Sequence, residues 1–147
     1  MNRDTVHSGA SSSSSAWSRV LARWPIALGL AVVAVLLATG VVGEFSRGLV
    51  VAALIYLVWG VFRGAYRRTG RWLTVELAGV VVFGAATVGA LLVDDTAARV
   101  LLGLGWLAHT GWDIIHHRLN AVVPRWWAEQ CAVVDLIVGG LLLLALI

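Results

Sequence analysis

The sequence predicts an all-α integral membrane protein, a five-helix transmembrane bundle with its N-terminus cytoplasmic and its C-terminus outside. Three observations predict it. Hydrophobic residues make up 60% of the 147 and charged residues only 13%, and the mean hydropathy is +0.89, far more apolar than an ordinary soluble domain. The apolar residues gather into five runs, each near the roughly 20 residues that cross about 30 Å of hydrocarbon. The arginines collect in alternate connections, which is the pattern the positive-inside rule describes.

Residues 1–18 are polar and include the run Ser11 to Ser15. Such a segment buries too little apolar surface to order itself, so a disordered cytoplasmic tail is expected. It does not read as a signal peptide, because the first apolar run begins only near Pro25 and is long enough to span. Residues 19–147 form one transmembrane domain, with helices expected at about 24–42, 48–62, 72–93, 97–116 and 128–147. The second of these is short. Pro25 suits a first helical turn, where its missing N–H is no loss, and Pro124 marks the connection before the fifth helix. The connections "GEFSRG", "RGAYRRTGR", "DDTAA" and "HRLNAVVPRWW" are tight, so consecutive helices should be antiparallel neighbours.

Arginine placement orients the bundle. Arg19 and Arg23 precede the first helix, Arg63, Arg67, Arg68 and Arg71 lie between the second and third, and Arg118 and Arg125 lie between the fourth and fifth. The other two connections hold only Arg47 and Arg99, beside Glu44, Asp94 and Asp95. All three arginine-rich stretches therefore face the cytoplasm, and the chain is read as multi-pass in the cell membrane.

Other features exclude more than they assign. A pI near 10.0 would suggest nucleic acid in a soluble protein, but here the basic residues set topology, and no nucleic-acid partner is expected. All eleven basic residues are arginine, a bias of GC-rich genomes that points to a bacterial inner membrane. The single cysteine, Cys131, allows no internal disulfide and reads as a buried small side chain.

The stretch Trp106 to Arg118, "WLAHTGWDIIHHR", carries ionisable groups into the fourth helix. At about 100° per residue, Asp113 lies about 40° from His109, His116 about 20° to the other side and His117 about 80° round, all within one face. Asp135 sits on a stripe of the fifth helix with Cys131 and Gly139, four residues apart, so it should face a neighbouring helix. Glu76 points into the bundle from the third helix, and Glu129 lies near the cytoplasmic surface. By a rise of about 1.5 Å per residue, these groups share the cytoplasmic half of the membrane. An unpaired charge at mid-bilayer costs about 2.5–3.5 kcal/mol, so such residues face inward and find partners.

Three chemistries suit that set. In the first, His109, Asp113, His116 and His117 hold a divalent transition metal, zinc, iron or copper, with Asp135 or Glu76 completing the shell. A carboxylate left free, Glu76, Asp135 or Glu129, would move the proton, and the protein would be a metal-dependent enzyme acting on a membrane lipid or lipid-soluble small molecule. The fragment Asp113-x-x-His116-His117 superficially resembles one histidine box of membrane lipid hydroxylases and desaturases, which carry several boxes and many more histidines than the four here. Seven-helix zinc lipid hydrolases have a similar ligand inventory, with a different helix count and spacing. Neither resemblance identifies a family.

In the second, a buried carboxylic acid and a histidine relay act without metal, in an isomerase or cyclase of an isoprenoid or lipid whose cationic intermediate is steadied by tryptophans such as Trp72, Trp106, Trp112, Trp126 and Trp127. In the third, the protein is a non-enzymatic membrane subunit or scaffold, as a homo-oligomer or with a partner subunit. His116 and His117 are then interfacial anchors, and His109 with Asp135 is an interhelical hydrogen bond worth about 1 kcal/mol. Glu76 has a bland alternative in pairing with Arg68 or Arg71, while Glu44, Asp94, Asp95 and the tail's His7 read as solvated.

Overall fold

The computed structural model describes residues 22–144; the expected tail at residues 1–18 lies outside them. Among the described residues the chain is all-helical, with seven helices and no strand. They are α1 (Trp24–Thr39), α2 (Val42–Ser46), α3 (Leu49–Phe62), α4 (Ala65–Arg68), α5 (Arg71–Ala90), α6 (Asp95–Leu119) and α7 (Arg125–Leu144). Two of them, α5 and α7, are long and apolar enough to cross a membrane by length and composition. The apolar helices α1 and α3 have 16 and 14 residues, about 24 and 21 Å at the α-helical rise.

Element boundaries follow local capping chemistry. The first expected helix, 24–42, ends instead at Thr39, because Gly40 takes a left-handed φ of 72° and closes the last turn on Leu37; Val42–Ser46 then forms a separate short helix. The fourth begins earlier and ends later than 97–116. Asp94 caps it by accepting from the Thr96 and Ala97 amides, and Asn120, at φ 48°, ends it. The fifth starts directly after Pro124, so Trp126 and Trp127 are helical. Of the long connection expected there, only residues 120–124 remain outside helices.

Helix α6 packs along α7, α7 also packs on α1, and α5 packs on both α6 and α3. The α6–α7 approach is set by two glycines. A Cβ on Gly139 would lie 2.9 Å from the Gly103 carbonyl, and one on Gly103 would lie 3.2 Å from the Gly139 carbonyl. No side chain fits between these backbones, and that closeness brings the α6 and α7 polar residues within reach of each other.

Apolar and polar residues are distributed in an unusual way. Large hydrophobic side chains cover the outside, with Phe62 80%, Leu92 79% and Val81 69% exposed, whereas Glu76, His109, Asp113, His116 and Asp135 are buried. The apolar core around Val33, Leu49, Phe83, Trp106 and Val138 occupies the middle and the end bearing α2. A second cluster, with Tyr56, Val122, Val123 and Ala128 at its centre, closes the opposite end. There Arg63, after α3, donates to the side-chain and backbone oxygens of Asn120, at 3.3 and 3.4 Å. Two arginine-bearing connections thus meet at one end of the bundle.

Candidate functional site

The polar interior divides into one central group and two flanking pairs. In the central group, His109 of α6 reaches Asp135 of α7 with Nδ1 2.7 Å from Oδ2. Asp113, one turn further along α6, brings Oδ1 to 3.5 Å from the same nitrogen. One potential ligand atom from each of the three residues lies within 4.8 Å of the others, and all three side chains are buried. Tyr56 of α3 donates its hydroxyl to Asp113 Oδ1. Two polar atoms here, His109 Nε2 and Asp113 Oδ2, are buried without a hydrogen-bond partner among the described residues.

Rings surround this group. The Phe83 ring lies 4.7 Å from the His109 imidazole, the Tyr56 ring 5.5 Å and the Trp106 ring 6.3 Å. Trp106 is fixed in turn by donating its indole N–H to the Ser46 carbonyl at 2.8 Å and by stacking on Phe45. Toward the arginine-bearing end, Val122 and Val123 are fully buried. Water is therefore screened from both directions along the bundle axis, which strengthens any electrostatic interaction inside.

The first flanking pair is His116 with Glu76, Nε2 to Oε1 at 2.8 Å and both side chains 1% exposed. His116 Nδ1 lies 2.9 Å from the Trp112 carbonyl. A carbonyl only accepts, so Nδ1 carries hydrogen and a single proton is held between Nε2 and the Glu76 carboxyl. The second pair, His117 with Glu129, stands 4.0 Å apart with side chains 42% and 27% exposed.

Of the residues singled out from sequence, His109, Asp113 and Asp135 come together. His116 and Glu76 form a separate buried pair, two helical turns from His109. His117 and Glu129 stand at the surface. The division has a geometric cause. Seven residues separate His109 from His116, which is about 10 Å along the axis, and His117 projects about 80° away from His109. One ion at the central group cannot draw on all four α6 residues.

Tyr56 escaped the sequence reading, although a signal existed. It is the one tyrosine in "LVVAALIYLVWGVF", and a hydroxyl buried in an otherwise apolar helix needs a partner.

The central group has the makings of a metal site. Imidazole nitrogen and carboxylate oxygens bound at about 2.0–2.2 Å to one ion stand roughly 3–3.5 Å from one another; the 3.5 Å from His109 Nδ1 to Asp113 falls in that range, and the 2.7 Å to Asp135 is a hydrogen bond that would open slightly around an ion. Two carboxylates beside a neutral imidazole would balance a divalent cation. Tyr56 on Asp113 is the kind of outer hydrogen bond that orients a ligating carboxylate. Comparison of the chain with family models, with curated proteins and with solved structures finds no match.

Proposed function

We propose that this is a multi-pass membrane protein whose spans are α1, α3, α5, α6 and α7, and that His109, Asp113 and Asp135 hold one divalent transition metal at which a lipid-soluble substrate reacts. The observation that carries the metal is the burial of two carboxylates against one imidazole, with Asp113 Oδ2 left unpartnered among the described residues. Desolvating such groups without compensation is costly, and a bound cation compensates both carboxylates at once. Three protein ligands leave open coordination positions, as catalytic sites do and structural zinc sites do not. The donor set of one imidazole and two carboxylates suits zinc or iron better than copper.

The membrane assignment is supported by the exposed apolar exterior, the inward-facing ionisable groups and the grouping of most arginines at the end opposite Arg47 and Arg99. In this reading the arginine-bearing end is cytoplasmic. Glu76 is engaged with His116 and supports the wall of the site, while Glu129 and His117 form a partly exposed pair outside the central group.

Metal analysis of the protein purified in detergent without chelator tests the proposal. Wild type is expected to carry about one equivalent of zinc or iron per chain. His109→Ala and Asp113→Ala should lose it, while His117→Ala retains it. Wild type without stoichiometric metal would overturn the metal reading. A metal-free acid–base site is the second reading, favoured by the two hydrogen bonds that already pair the group, Tyr56 to Asp113 and His109 to Asp135. In that case Asp135→Asn would abolish turnover of the substrate while leaving the fold intact.

A further inference from the structure

A cavity of about 160 Å³ opens beside the central group. It lies between α1 and α3, which do not pack along one another, and reaches inward to α7. Phe45, Tyr56, Trp106 and Trp127 form aromatic walls, and Asp135 stands at its inner end with Cys131 one turn away. The indole N–H of Trp127 is buried and has no hydrogen-bond partner among the described residues. The chamber therefore offers flat apolar walls and a carboxylate that belongs to the candidate site; the Trp127 N–H is buried behind its ring and does not reach the chamber.

We propose that this chamber is the substrate pocket, and that it takes the oxygen-bearing six-membered ring of a lipid-soluble phenol or quinone. Its volume is that of a cavity that accommodates one benzene ring, about 150 Å³. Stacked aromatic side chains favour a planar guest over a branched one. A ring seated between these walls lies against Asp135, whose carboxyl is the polar group that an oxygen on the ring would meet. Ile55 lines this chamber and also an apolar groove of about 320 Å³ along the outer face of α3, with Val58, Trp59 and Phe62. A hydrocarbon tail on the ring can leave by that groove directly into lipid. The inference rests on the membrane reading and on Asp135 as a reactive group; it does not require the metal.

The test is equilibrium binding of radiolabelled 4-octylphenol to the full chain in lipid nanodiscs, with 1-octanol as the competitor that has a chain and no ring. Saturable binding at one site per chain is expected, displaced by 2,3-dimethylbenzoquinone and not by equimolar 1-octanol. Ala52→Phe, which fills the chamber from α3, should remove saturable binding. Trp127→Ala removes one aromatic wall and should weaken binding at least about tenfold. Metal content, measured on the same samples, should be unchanged in both variants. The proposal is overturned if wild type shows no saturable binding, if 1-octanol competes equally well, or if Ala52→Phe binds as wild type does. Ring binding in a protein that holds no metal leaves the chamber standing and removes the metal centre. A metal-loaded protein that ignores the ring does the reverse.

Discussion

His109 and Asp135, 26 residues apart in sequence, meet with Nδ1 2.7 Å from Oδ2 inside the α6–α7 interface. Both are buried, and each fixes the other's position. A double-mutant cycle with His109→Ala and Asp135→Ala, read by reversible unfolding in mixed micelles, should give a coupling of about 1–2 kcal/mol, the upper part of the range for interhelical polar pairs. Strict additivity would mean that the pair is not energetically linked.

The Glu76–His116 pair should matter to stability and not to metal. Glu76→Ala leaves His116 Nε2 buried and unpaired, which is expected to cost about 1–3 kcal/mol. Glu76→Gln keeps a hydrogen-bonding group in place and should cost less. Both variants should retain wild-type metal content, and loss of metal on Glu76→Gln would show that the two buried groups act as one site.

Gly139 offers a test of the packing that brings the site together. Gly139→Ala drives a methyl group toward the Gly103 carbonyl, whereas a Cβ on the adjacent Gly140 would meet nothing within 4 Å. Gly139→Ala should therefore destabilise by about 1–3 kcal/mol as the two helices are forced apart. Gly140→Ala should be neutral or slightly stabilising, since alanine is the better helix former. Equal effects at the two positions would remove the α6–α7 close approach as the organising contact.

Orientation can be read by chemical labelling in a Cys131→Ser background. Arg67→Cys, between α3 and α5, should react with an impermeant maleimide only from the cytoplasmic side. Thr96→Cys, at the start of α6, should react only from the outside. Labelling of both from one side would contradict the alternating spans.

Much of this architecture is legible before any coordinates. Asp135 and Gly139, on one stripe of α7, turn toward α6, since small residues at fourfold spacing permit close helix approach, and Gly139 does pack on Gly103. Periodicity along α6 places His109 and Asp113 on one face for the same reason. What periodicity cannot supply is distance between helices. Angular position alone puts His116 with His109, and only the packing of α5 on α6 shows that Glu76 engages it instead. Val122 and Val123 are apolar residues in a short connection, and nothing local tells that they fold back to seal the site. Tyr56 lies on a helix whose sequence names no partner, so its bond to Asp113 emerges only once α3 is set against α6.

X-ray absorption at the metal edge of the purified protein reaches the central claim most directly, because it counts the ligands. The account predicts an ion bound through one imidazole, the remaining ligands being oxygen at about 2.0–2.2 Å. A shell with two or more imidazoles, or a protein that holds no metal under chelator-free purification, would contradict it.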